Sequence, residues 1–130
     1  MAERIDTDIC VIGGGSGGLS VAAGAVQMGA RVVLLEGGEM GGDCLNYGCV
    51  PSKSLIAAAH AAHQVRSSHR FGVRAAVPEI DMEAVRAHVR SVIAGIAPHD
   101  SQERFEQLGV RVVRDYGKFT DLRTVVAGNY

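Results

Sequence analysis

Two cysteines, Cys44 and Cys49, stand five positions apart in the run Cys44-Leu-Asn-Tyr-Gly-Cys49. Such a pair can carry electrons by opening and closing a disulfide, provided the two sulfurs can meet. On a regular helix, residues at this spacing would hold their Cα atoms about 8–9 Å apart, beyond the roughly 7 Å that a disulfide tolerates. A bridge therefore requires a compressed or irregular segment, and Gly48 beside Cys49 supplies the backbone freedom. Pro51 is accommodated only in the first turn of a helix, so the helix is expected to start near Cys49. A thiol at that end is acidified by the aligned peptide dipoles. Lys53, one turn on, projects from the same face and adds a cation. Three other readings stand beside redox chemistry. A structural disulfide is disfavoured in a reducing compartment. A zinc site needs about four ligands, yet Cys10 falls on an expected core strand and His60 and His63 lie turns away. Inert buried thiols would leave Gly48, Pro51 and Lys53 unaccounted for.

The second chemical feature is a glycine turn. Gly13, Gly15 and Gly18 fit G-x-G-x-x-G, and the turn follows the apolar run Asp8–Ile12. In that setting the first glycine permits the turn and the second lets backbone approach a pyrophosphate. The third allows close helix–strand packing, while the helix N-terminus offers N–H groups to the anion. Glu36 follows at the end of the next apolar run, where a carboxylate can accept ribose hydroxyls and disfavours a 2′-phosphate. The fingerprint by itself does not separate FAD from NAD.

These residues need elements to hold them. Asp8–Ile12 and Arg31–Glu36 read as buried parallel strands. Between them Leu19, Ala22, Ala23, Val26 and Ala30 recur at helical spacing, with Gly29 near the helix end, making a βαβ unit. Gly37–Gly42 reads as a loop. A helix is expected from about Val50 to Arg66, with Leu55, Ala58, Ala59, Ala62 and Val65 on one face. Residues 71–79 look irregular. Asp81 is a candidate N-cap for an amphipathic helix carrying Val85, Val89, Val92, Ile93 and Ile96 and ending near Pro98. Asp100 or Ser101 caps a shorter helix through Leu108, closed by Gly109, and Val110–Val113 and Thr124–Ala127 read as strands. The fold class is α/β: a Rossmann-like, dinucleotide-binding type of domain with a parallel sheet and long helices.

Composition narrows the classes. The 130 residues suit one modest domain, and 47% apolar content suffices for one core. A formal charge of −1 gives no general pull toward nucleic acid or acidic membrane. The locally basic stretch His60–Arg74 has only Phe71 as an interleaved aromatic, which argues against nucleic-acid binding. No stretch approaches a membrane span, and Met1–Asp8 lacks the pattern of a secretory signal, so a soluble, cytoplasmic protein is the expectation. No metal site is expected from the five histidines.

The run Gly41-Gly-Asp-Cys-Leu-Asn-Tyr-Gly-Cys-Val-Pro-Ser-Lys53, placed after the glycine turn, resembles the active-site signature of the pyridine nucleotide–disulfide oxidoreductases. Tyr116-Gly-Lys-Phe119 resembles the later segment of that family whose backbone approaches the FAD adenine. The resemblance implies that Gly13, Gly15, Ser16, Gly18 and Glu36 hold the ADP half of FAD. Gly42 and Asp43 would lie along the pyrophosphate and ribityl chain, and Gly117 against the adenine. It implies that Cys49 is the buried, flavin-facing thiol, Cys44 the interchange thiol that meets substrate, and Lys53 a neighbour of the flavin's reactive edge. NAD(P)H would be the co-substrate, the substrate a lipoamide-like disulfide or dithiol, and the whole protein a homodimer. A mercuric-reductase-like enzyme, and a non-catalytic binding fragment with inert thiols, remain the alternatives. Asp43 stands where the family usually has Thr, Tyr47 where it has a small apolar residue, and Ser52 fits the lipoamide and mercuric branches. The chain is expected to be an N-terminal piece, residues 1–130 of an FAD-binding domain without nicotinamide and dimerisation domains, inactive alone.

Overall fold

A computed structural model describes residues 3–130. The β-rich runs form a three-stranded parallel sheet of β1 (Ile9–Ile12), β2 (Val32–Leu35) and β3 (Arg111–Val113), with β2 in the middle. Ile9 pairs with Val32 and Val33 with Arg111, so the three carboxyl ends lie at the same edge. Helix α1 (Ser16–Gln27) links β1 to β2, completing the expected βαβ unit. The route from β2 to β3 is long: it passes α2 (Gly42–Asn46), α3 (Cys49–Ser67), α4 (Met82–Ile96) and α5 (Gln102–Gln107). Two short strands, β4 (Lys118–Phe119) and β5 (Val125–Val126), then pair antiparallel.

The two faces of β2 explain why all four of its residues are buried. Val32 and Leu34 join Val11, Leu19, Ala22, Phe105 and Val110 beneath α1 and α5. Val33 and Leu35 face the other way, toward Val113 and Ala127. Strand β1 differs from expectation. Only Val11 is buried, whereas Cys10 and Ile12 are exposed on the second face of the sheet. Cys10 thus lies outside the core that the described residues form. It lines an open groove of about 420 Å³ with Ile5, Val33, Leu35 and Tyr130. Partial burial in that groove pushes its thiol pKa up.

The helix boundaries follow their chemical signals. Asp81 caps α4 by accepting the N–H groups of Glu83 and Ala84, each at 3.0 Å. Ser101 caps α5 through Arg104 N–H at 3.2 Å, and Gly109 follows that helix with φ +98°. Helices α3 and α4 pack on each other. Their apolar faces are only partly covered: Ala58 and Ala62 are half-buried while Leu55 and Val65 stay exposed.

Candidate active site

The dithiol segment is split between two helices. Helix α2 begins at Gly42, behind Gly41 in the left-handed conformation at φ +86°. It carries Cys44 and ends at Tyr47, and Gly48 breaks the path with φ −111° and ψ −105°. Cys49 is then the first residue of α3, where the Ser52 N–H donates to Gly48 O at 3.1 Å. Pro51 thus occupies the first turn, where its missing N–H costs no intrahelical bond. The short helix α2 was not anticipated from the sequence. It is the irregularity that the cysteine spacing demanded.

The break brings the two side chains together. Both are free thiols, and Cys49 lies close enough to perturb the ionisation of Cys44. The neighbouring Cys49 side chain and desolvation hold the Cys44 thiol above its ordinary range, while the Lys53 charge pulls in the opposite direction. Lys53, itself exposed, therefore acts on Cys44 from the first turns of α3. In this chain Cys49 is exposed and Cys44 is half-buried. Leu45, fully enclosed between them in sequence, anchors α2 and draws Cys44 inward, whereas Cys49 opens a helix turn on the surface.

Close backbone packing builds the neighbouring cradle. A Cβ on Gly18 would lie 1.8 Å from Gly13 O, so only glycine permits α1 to start so near β1. Gly15 is the N-cap of α1 and has no side chain to satisfy the first-turn N–H groups, which have no intrahelical acceptor. Ser16 opens that turn, exposed. The second glycine loop comes up against the first: Gly41 N–H donates to Gly14 O at 2.8 Å, and a Cβ on Gly42 would fall 2.7 Å from Gly15 Cα. The result is a side-chain-free wall made by two helix starts, suited to an anion held by peptide N–H groups.

Glu36 ties the wall together. Its Oε2 accepts Gly14 N–H and its Oε1 accepts Gly38 N–H, both at 2.6 Å. Gly117 crosses the end of β2, where a Cβ would meet Leu35 Cδ1 at 2.6 Å. Asp43 folds its carboxylate back over Gly48, with Oδ2 2.8 Å from where a Cβ on that glycine would sit. Tyr47 is exposed, and a hydrogen bond to Glu39 raises its phenol pKa. Sequence reasoning missed Arg114, whose guanidinium donates to Gly38 O; Tyr116 stood in the Tyr116–Phe119 segment, but the contact of its ring with Gly37 was not foreseen. No local pattern marks Arg114, which stands just ahead of that segment. Among the described residues no group of three or more His, Cys, Asp or Glu is placed to hold a metal ion, and no helix is long and apolar enough to cross a membrane.

Comparison with known proteins gives a family. Residues 7–129 match the family model described as pyridine nucleotide-disulphide oxidoreductase. Over 121 residues, 93% of this chain and 26% of the relative, the sequence is 36% identical to a dihydrolipoyl dehydrogenase of Geobacillus stearothermophilus. It is 34% identical over 115 residues to a mercuric reductase of Streptomyces lividans, covering 88% of this chain and 24% of that protein. It is also 34% identical over 116 residues to a leghemoglobin reductase of Vigna unguiculata, covering 88% of this chain and 22% of that protein. The chain spans about a quarter of the length of these relatives.

Proposed function

The chain belongs to the pyridine nucleotide-disulphide oxidoreductase family, and on that premise we propose that it is the FAD- and dithiol-bearing part of a dihydrolipoamide dehydrogenase-like enzyme. The observation that carries the reading is the meeting of Cys44 and Cys49 across the Gly48 break, at the start of a 19-residue helix.

The residues fit FAD. Gly13, Gly15 and Gly18 give the pyrophosphate a wall without side chains, Ser16 adds an exposed hydroxyl and a peptide N–H at the helix start, and the Gly15–Gly42 contact would be lost with any Cβ on Gly42. Each oxygen of Glu36 already accepts one N–H, and a carboxylate oxygen has two lone pairs. One acceptor site per oxygen is left, which matches the two neighbouring hydroxyls of a ribose. Gly42 and the Asp43 backbone flank the path from the cradle to the thiols, and Gly117 offers backbone at the adenosine end. The Asp43 carboxylate, folded over Gly48, supports its tolerance in place of Thr. Bound FAD would supply two-electron transfer between the hydride of NAD(P)H and the dithiol.

The chain's own part is thiol–disulfide exchange. Cys44 as thiolate attacks one sulfur of a substrate disulfide, forming a mixed disulfide and releasing the first substrate thiolate. Cys49 then attacks the Cys44 sulfur, releases the second thiolate and leaves the Cys44–Cys49 disulfide. In dihydrolipoamide oxidation the same steps run backwards. Lys53 favours the Cys44 thiolate electrostatically. The reading includes a homodimeric, cytoplasmic whole protein.

The test is the absorbance of the intact protein on two-electron reduction. A long-wavelength band from a thiolate beside oxidised flavin is expected, and it should vanish in Cys49→Ser. A band that survives Cys49→Ser would remove Cys49 from its role. A second reading, reduction of mercuric ion, is favoured by the similarity to the Streptomyces lividans protein. NAD(P)H-dependent turnover with lipoamide against mercuric ion separates the two.

A further inference from the structure

Resting on the reading that the glycine turn and Glu36 hold the ADP half of FAD, we propose that Arg114 and Tyr116 are positioning residues for that half. Together they clamp the Gly37–Gly38 backbone so that Glu36 is presented in one orientation before the ligand arrives. Past β3 the chain crosses the carboxyl end of β2, starting from the Glu36 N–H donated to Val113 O at 3.0 Å. The ring of Tyr116 then lies on Gly37, where a Cβ would come 2.6 Å from three ring carbons. The Arg114 guanidinium donates to Gly38 O, and Gly38 N–H donates to Glu36 Oε1 at 2.6 Å. Gly38 is therefore held on both sides, its N–H by Glu36 and its carbonyl by Arg114. The other Glu36 oxygen continues the chain of contacts to Gly14 at 2.6 Å.

The energetic logic is preorganisation. Two consecutive glycines would otherwise sample a wide range of conformations, and binding would have to suppress them. Restraining the loop in advance removes that cost from the binding step. Arg114 and Tyr116 are both exposed, Tyr116 at 76%. Truncating them opens no core cavity, so their effect is expected at the ligand and not across the whole fold. Gly37 is also explained: any side chain there would collide with the Tyr116 ring.

The experiment measures the affinity of the intact apoprotein for three probes, FAD, ADP and FMN, by fluorescence titration and equilibrium dialysis. It compares the unsubstituted protein with Arg114→Gln, Tyr116→Ala, Arg114→Lys and Tyr116→Phe. Arg114→Gln and Tyr116→Ala are each expected to weaken FAD and ADP by about tenfold while leaving FMN unchanged. Tyr116→Phe, which keeps the ring on Gly37, is expected to restore both, and Arg114→Lys to restore them in part. A parallel loss for FMN would mean general loosening of the fold and would overturn the clamp, as would unchanged FAD and ADP affinities. If the unsubstituted protein binds neither FAD nor ADP, the reading of the glycine turn fails and the clamp falls with it. If it binds both and all the variants match it, only the clamp falls.

Discussion

The carboxylate of Glu36 accepts the N–H of Gly14, 22 positions earlier in the chain, at 2.6 Å. This one bond joins the end of β2 to the turn that follows β1, so the acid and the glycines of the fingerprint form a single unit before any ligand is present. Glu36 is only half-buried, and replacing it with Ala leaves two glycine N–H groups short of an acceptor. We expect Glu36→Ala to lose about 1–2 kcal/mol in urea denaturation and at least tenfold in FAD affinity by flavin fluorescence. A variant that loses stability but retains FAD affinity would separate the carboxylate from the ribose.

Two glycines of the same helix, Gly18 and Gly24, should respond oppositely to alanine. At Gly18 the added Cβ would sit 1.8 Å from Gly13 O and 3.1 Å from Val11 Cγ1, and the obstacle is backbone. Gly18→Ala is expected to cost about 2 kcal/mol or more and to weaken FAD. At Gly24, inside α1, nothing lies within 4 Å of a Cβ. Gly24→Ala should stabilise the protein by about 0.5–1 kcal/mol. Thermal melts of the two variants check both signs.

The thiol pair makes a prediction about ionisation. Cys49 is the largest cause of the raised Cys44 pKa, and Lys53 opposes it. Cys49→Ala removes the raising contact, so more Cys44 is thiolate at a given pH and its alkylation by iodoacetamide should quicken. Lys53→Gln removes the lowering charge, and Cys44 should be alkylated more slowly. Peptide mass spectrometry reads Cys44 separately from Cys49, and equal rates in all three proteins would contradict the arrangement.

Acid should loosen the base of the sheet. Asp8 accepts the Arg31 guanidinium at 2.7 Å and the Arg31 N–H at 2.8 Å, which holds its carboxyl down to about 2. The folded value lies below the ordinary carboxylate value near 4. The contribution is therefore full above about pH 4 and is lost as pH falls toward 2. Asp8→Asn should be less stable than the unsubstituted protein at pH 6, and the gap should close near pH 2. The pair is exposed, so the effect is expected to be modest and to shrink in salt.

Much of the site was legible because its signals are local. Pro51 dictates where α3 can begin, Asp81 and Ser101 mark helix starts, and the apolar runs around Gly13–Gly18 announce a βαβ unit. The cysteine spacing required an irregular path, and the Gly48 break between α2 and α3 is that path. Exposure was less legible. Cys10 reads as a core residue because its neighbours are apolar, yet among the described residues β1 buries only Val11, and Cys10 is on the other face. The half-burial of Cys44 next to the enclosed Leu45 was not legible either, because it depends on how α2 seats against the rest of the fold.

By itself the sequence determined the chemistry available: a thiol pair at a helix start, a glycine-edged turn and an acid at a strand end. Those follow from residue types and spacings of a few positions, where backbone geometry leaves little choice. Only the tertiary structure decided which distant groups meet: Glu36 with Gly14, Gly42 with Gly15, and Tyr116 with Gly37. Such contacts depend on strand register and on the course of the chain between β2 and β3, which separates partners by up to 79 positions. No local preference encodes them, because they are selected by the packing of the whole sheet and its helices.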